Sequence, residues 1–318
     1  MKTLSKIKMI LAAVLIAGFA VSCDDDDTKM VAETTITDIA KTDANLSVLV
    51  QALVKAQLDR TLQGPGPYTV FAPTNKAFED FLKTTPYKTL ADVPDAVLTQ
   101  ILLNHVVSGT VKSTALTTGY VKTLAKGTAS ATNNLSMYVN TASGVRLNGV
   151  SKVVTADIIA ANGVIHVVDA VIGLPTIVTH ATANPNFTSL VGALTGAGQP
   201  NFVSILSGTG PFTVMAPTNA AFTALNTELA PGGIASVSTA NMTRVLQYHV
   251  ANGNVLAASL REGQKIATLQ LPQEYTIELT GGAKIRDVRN RVSNIVATDV
   301  QCANGVIHVL DRVLLPTF

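Results

Sequence analysis

The side chains best suited to acid–base, nucleophilic or metal chemistry are five histidines and two cysteines. Four of the histidines form matched pairs, His105 with His249 and His166 with His308. A duplicated histidine invites a reading as general base or metal ligand. No partner ligand stands at metal-site spacing, however, and the local patterns suggest another role. His105 and His249 continue apolar helical stripes, and His166 alternates with Ile165 and Val167 as in a strand. Both settings predict part-buried imidazoles that hold fixed hydrogen bonds. His180 aligns with Ile39 and is not required by the repeat. Cys302 aligns with Ala160, which predicts a small buried site, and no basic residue in the ten positions before it would activate the thiol. There is no Gly-x-Ser-x-Gly elbow, His-Glu-x-x-His, phosphate loop, or Gly-x-Gly-x-x-Gly after a strand. The expectation is a non-enzyme without catalytic residues, metal or cofactor.

The matched histidines belong to a larger duplication. Tyr68-Thr-Val-Phe-Ala-Pro-Thr-Asn-Lys-Ala-Phe78 returns as Phe212-Thr-Val-Met-Ala-Pro-Thr-Asn-Ala-Ala-Phe222, with eight of 11 positions identical. Asn162-Gly-Val-Ile-His-Val-Val-Asp169 returns as Asn304-Gly-Val-Ile-His-Val-Leu-Asp311, with seven of eight identical. The offsets, 144 and 142 residues, are too long for a solenoid, so each copy should be a complete domain. The predicted domains are residues 34–174 and 175–318. The link near Gly173–Thr176 is short and contains Pro175, which predicts limited freedom between them.

Each copy reads as helices first and strands later. Leu46, Leu49, Val50 and Leu53 make one apolar helical stripe, and Phe187, Leu190, Val191 and Leu194 repeat it. Residues 68–72 read as a strand ended by Pro73, and Thr74 or Asn75 caps a helix that points Phe78, Phe81 and Leu82 inward. A third helix starts near Pro94 and carries Leu98, Ile101, Leu102 and His105; Met242, Val245, Leu246 and His249 match them. Strands are expected over 136–140, 145–147, 152–155 and 164–168, then 275–279, 284–286, 294–297 and 306–310. Asn162-Gly163 and Asn304-Gly305 read as tight turns into the last strand. The predicted class is α+β, with helices packed on a mainly antiparallel sheet assembly.

Both long motifs resemble the characteristic segments of the fasciclin family. The resemblance covers nearly all of residues 34–318 and implies two tandem domains, each a β-wedge or sandwich decorated by helices, with roles in adhesion and without catalysis. In animal members an Asp-Ile pair ahead of the Asn-Gly turn resembles an integrin-contacting element. Asp157-Ile158 occupies that place here, and Asp299-Val300 is a near match. A Tyr-His pair linked to adhesion is matched by Tyr248-His249, whereas Asn104-His105 departs from it.

The N-terminus sets the compartment. Lys2, Lys6 and Lys8 precede an uncharged apolar run, Met9 to Val21, of 13 residues. That is too short to span a bilayer and has the form of a secretory signal. Ala20-Val21-Ser22-Cys23 resembles a bacterial lipobox, which implies cleavage after residue 22 and acylation of Cys23. Residues 23–33, with Asp24–Asp27, would form an acidic tether, and in some Gram-negative bacteria such a run resembles a surface-export signal. Without residues 1–22 the net charge moves from +2 to −1, so the chain has no electrostatic case for nucleic-acid binding. Cys302 alone would remain besides Cys23, which excludes a disulfide framework. With no Trp and 5% aromatic residues, an aromatic sugar-stacking platform is not expected. The functional expectation is an outer-membrane-anchored, surface-exposed adhesion or ligand-binding lipoprotein, with an unknown protein or glycan partner. The alternatives are a structural accessory of the envelope, or capture of a carbohydrate or small ligand between the domains.

Overall fold

The computed structural model describes residues 34–318. The signal segment, Cys23 and the acidic tether lie outside the described residues. In repeat 1, helices Ile36–Thr42, Ser47–Lys55, Asp59–Gln63, Asn75–Lys83 and Asp95–Leu103 accompany seven strands. These are β1 (Tyr68–Pro73), β2 (Val106–Ser108), β3 (Gly119–Gly127), β4 (Ser130–Asn140), β5 (Arg146–Leu147), β6 (Ser151–Ala160) and β7 (Gly163–Val168). They run in chain order round a closed barrel. All pairs are antiparallel except β1 with β7, whose parallel ladder joins the first duplicated motif to the second.

Repeat 2 follows the same order with helices Ile177–Ala183, Thr188–Leu194, Phe202–Leu206, Asn219–Glu228 and Thr239–Tyr248. Its strands are β8 (Phe212–Pro217), β9 (Val250–Asn252), β10 (Lys265–Ala267), β11 (Glu274–Glu278), β12 (Lys284–Arg286), β13 (Val292–Cys302) and β14 (Gly305–Leu310). The sheet order is β10-β11-β12-β13-β14-β8-β9, with β8 parallel to β14, and it stays open between β9 and β10.

Burial on both faces explains the unbroken apolar runs of the motif strands. In β1, Val70 and Ala72 pack against the helices while Phe71 points into the barrel with Leu116, Met137 and Leu147. This two-residue alternation is the pleat of a strand. Behind it, Leu46, Leu49, Leu53, Phe78, Leu98 and Leu102 form the helical half of the core. Repeat 2 exchanges volumes between two facing positions. Phe71 and Asn104 in repeat 1 correspond to Met215 and Tyr248, so the larger ring comes from the strand in one copy and from the helix in the other.

The helix starts differ in one respect from the sequence expectation. Thr74 and Thr218 are the caps, accepting from the amides of Ala77 and Ala221. Asn75 and Asn219 instead reach across to the preceding helix: Asn75 Oδ1 accepts from Val48 N and its Nδ2 donates to Ala44 O. Asn219 does the same with Ser189 N and Pro185 O. A side chain with both a donor and an acceptor can tie two chain segments, which a hydroxyl cap cannot.

The Asn-Gly turns are also more than turns. Asn162 is buried; its Oδ1 accepts from Ile36 N at 2.9 Å and its Nδ2 donates to Leu62 O and Gly64 O. Asn304 repeats this with Ile177 N, Leu206 O and Gly208 O. At Gly163 the backbone has φ +152° and passes so near β1 that a Cβ would lie 1.9 Å from Tyr68 O. Only glycine fits there.

Candidate adhesion surface and the seam between repeats

The paired histidines are each held by two hydrogen bonds. His105 Nδ1 donates to Ile101 O at 2.8 Å and its Nε2 accepts from Ile172 N at 2.8 Å. His249 makes the same contacts with Val245 O and Leu314 N. Both rings lie just past their helices, which end at Leu103 and Tyr248. There they fasten the chain that follows the last strand of each repeat. Burial lowers the affinity of both for a proton, to about 4. His166 Nδ1 accepts from Asp157 N, and its Nε2 donates to Val111 O. His308 stands likewise between Asp299 N and Val255 O, and burial again lowers its pKa. With both nitrogens of each ring engaged, none of the four has a lone pair free for a metal or a substrate proton. Among the described residues no three His, Cys, Asp or Glu side chains cluster as a metal-ligand set.

The sequence candidates for adhesion separate into three situations. Tyr248 and His249 are core residues, buried throughout. Tyr248 donates its hydroxyl to Glu274 O at 2.8 Å, accepts from Val288 N, and meets Tyr275 edge-on at 6.1 Å. Its place is inside repeat 2, so neither side chain of the pair is presented to a partner.

Asp157 and Asp299 sit in β-bulges with φ +62° and +56°, the left-handed region that aspartate tolerates better than most residues. Asp157 Oδ1 accepts from Ser113 N at 2.7 Å and its other oxygen takes the Ser113 hydroxyl. Those bonds hold the carboxylate below its usual range. Asp299 Oδ1 accepts from Ala257 N in the same manner. Each aspartate therefore secures the loop ahead of it. The residues beyond them differ: Ile158 is half-buried against the helical core of repeat 1 and Ile159 is exposed, whereas Val300 and Gln301 are buried.

That difference comes from a contact between the repeats. β3 and β4 form a long hairpin arm that lies on the end of β13. Lys122 Nζ donates to Asp299 O at 2.6 Å, Gln301 N to Ser136 Oγ at 3.0 Å, and Ala129 N to Ala303 O at 2.8 Å. Gly127 approaches so closely that a Cβ would lie 2.5 Å from Ala303 Cα. Tyr120 leans on the core of repeat 2 and accepts a hydrogen bond from Asn184 Nδ2. Gln301 is thereby 1% exposed, while Ile159, its counterpart in repeat 1, is 58% exposed. Val154 is exposed on the same strand.

Two further features complete the surface. A groove of about 440 Å³ crosses the link, lined in part by Phe81, Asn148, Asp169, Leu174 and Thr179. Cys302 is fully buried in the core of repeat 2 and its thiol donates to Val300 O; burial pushes its pKa up. Sequence reasoning had no signal for the arm, because its contacts run largely through backbone groups.

Duplicated α+β units, each a helix-covered β-assembly with a parallel pair of motif strands at its centre, define a tandem two-domain protein. Residues 44–175 and 185–316 each match the family model for the Fasciclin domain, and the chain belongs to that family. Protein sll1483 of Synechocystis is 36% identical over 141 residues, 44% of this chain and 73% of the relative. Human periostin is 27% identical over 267 residues, 82% of this chain but 30% of periostin. Immunogenic protein MPB70 of Mycobacterium bovis is 34% identical over 140 residues, 43% of this chain and 66% of that protein. Among solved structures, a FAS1 domain pair from the insect cell adhesion molecule Fasciclin I superposes with a TM-score of 0.54 at 21% identity. That match covers 86% of this chain and 97% of the other, and it concerns the fold.

Proposed function

We propose that this chain is a non-catalytic adhesion or ligand-binding lipoprotein of the bacterial envelope, anchored through Cys23, whose contact face is the outer side of β6 in repeat 1. The observation that carries the reading is the inequality of the two copies. The arm covers the end of β13 in repeat 2, where Gln301 is buried, whereas its counterpart Ile159 stays exposed on β6; upstream of the bulges the copies are alike, with Val154 and Val296 both exposed. Exposed aliphatic side chains on an uncovered strand are the kind of surface that protein partners occupy. The family's presence in an insect cell adhesion molecule supports the same reading. The full use of both nitrogens in the four paired histidines supports a non-catalytic role.

The test is adhesion of cells that carry the native chain or a Val154→Asp, Ile159→Asp double variant, with surface level measured by immunoblot after protease shaving. Loss of adhesion at equal surface level is expected. Unchanged adhesion, or protection of the native chain from protease on intact cells, contradicts the reading. A second reading, capture of a small polar ligand, is favoured by the groove across the link, where the Asn148 amide nitrogen is buried without a partner. Adhesion that survives the double variant but is lost in Asp169→Ala would select it.

A further inference from the structure

His180 is the one histidine without a counterpart, since Ile39 stands in its place in repeat 1. It lies on helix Ile177–Ala183, wholly buried where the arm of repeat 1 covers repeat 2. Tyr120 of the arm meets its ring edge-on at 5.3 Å. Neither ring nitrogen completes a hydrogen bond, although the backbone at Ser136 lies close. The paired histidines, by contrast, each use both nitrogens.

No side chain facing this ring carries a negative charge toward it; the backbone at Ser136 favours the charged ring, but burial outweighs it. From β3 come the Tyr120 phenol and the Lys122 ammonium, whose charge opposes protonation of the imidazole. From β4 comes the Tyr138 phenol, 5.1 Å from Tyr120 between ring centres. From β13 come the Cys302 thiol, whose pKa burial raises, and Asp299, whose carboxylate is turned toward Ala257 N. The helix that carries His180 has no other titratable side chain.

We propose that His180 is a proton-sensitive latch of the seam: the ring is accommodated between the repeats only when neutral, so mild acid releases the arm from repeat 2 while each repeat stays folded. Burial and Lys122 hold the enclosed ring at about 3, against an ordinary value of 6.5. The open form therefore binds the proton first. The closed seam is fully favoured above pH 6.5 and loses ground as pH falls. At pH 5.0 the open-to-closed ratio rises about 30-fold over its value at neutral pH.

The experiment uses the mature chain with Cys23→Ser, so that Cys302, enclosed beside the arm, is the sole thiol. Its rate of reaction with 4,4′-dithiodipyridine is measured from pH 7.5 to 5.0 in the native background and in His180→Ile, which installs the residue of repeat 1. Circular dichroism is recorded at each pH. Dividing the two rates cancels the intrinsic reactivity of the thiol. The ratio should rise about 30-fold across this range with the dichroism unchanged. His180→Met serves as a second neutral variant should His180→Ile not fold. A ratio that does not change with pH overturns the proposal, as does labelling of the native background that begins only when the dichroism is lost.

Discussion

Replacing Asn162 by alanine tests whether the duplicated Asn-Gly element acts through its side chain or only through its turn. The side chain makes three hydrogen bonds, to Ile36 N at 2.9 Å, Leu62 O at 2.7 Å and Gly64 O at 2.8 Å. They fasten the first helix and the loop before β1 to the β6–β7 turn. Each bond is worth on the order of 1 kcal/mol net, and the loss of one partner leaves the other group desolvated. Asn162→Ala should therefore cost repeat 1 about 3 kcal/mol. With a urea slope of about 2 kcal/mol/M for a unit of this size, the unfolding midpoint of repeat 1 falls by roughly 1.5 M. Two repeats need not unfold together, so the assay follows each by a separate fluorescent label. Asn304→Ala should produce the same loss in repeat 2, because its side chain bonds Ile177 N, Leu206 O and Gly208 O. A loss below about 1 kcal/mol at both positions would refute the argument, since the backbone turn alone would then account for the motif.

Gly163→Ala should prevent folding of repeat 1, because the new Cβ meets Tyr68 O at 1.9 Å; soluble expression and a native dichroism spectrum would contradict this. His105 and His249 are neutral in the folded chain, at about 4, so their contribution to stability is complete above pH 6.5 and is lost as pH falls toward 4. That loss amounts to roughly 3 kcal/mol per ring, and thermal melts that do not fall between pH 6.5 and 4.5 would argue against it. Cys23→Ala should move the protein from the membrane fraction to the soluble fraction; continued sedimentation of the unacylated chain would defeat the lipoprotein reading.

Much of the fold was readable from residues because the repeat supplied two copies of each pattern. The apolar periodicity around Leu49 and Leu53, the Pro73 and Pro217 boundaries, and the strands that hold His166 and His308 all appear in the structure. The short strands β2, β9 and β10 and the short helices that open each repeat have no counterpart in the sequence reading; the longest element it lacks is β3, where Gly119-Tyr-Val-Lys-Thr-Leu-Ala-Lys-Gly127 mixes lysines into a strand. Its polar face is explained by the second repeat: Lys122 is spent on Asp299 O, a partner 177 residues away. The extents of β4, β6 and β13 were underestimated for a related reason. Their far ends serve the seam and the bulges rather than an alternating core. At the candidate site, the Asp-Ile and Tyr-His dipeptides look equivalent in sequence. Only packing shows that Tyr248 is buried, that Ile158 is half-buried against the helical core, and that the exposed residue is its neighbour Ile159.

The arm also gives the pair a direction. β3 and β4 have 9 and 11 residues, whereas β10 and β11 have 3 and 5. Repeat 1 can thus cover a neighbour that follows it, and repeat 2 has no hairpin of comparable length for a neighbour after it. The face on β6 that corresponds to the covered face of repeat 2 remains open. Another arm-bearing unit placed before repeat 1 could therefore make the same contact on β6, a contact that the shorter strands β10 and β11 of repeat 2 do not reach far enough to make. Exchanging the order of the two repeats would leave both the reach of the arm and the need of Gln301 for cover unmet.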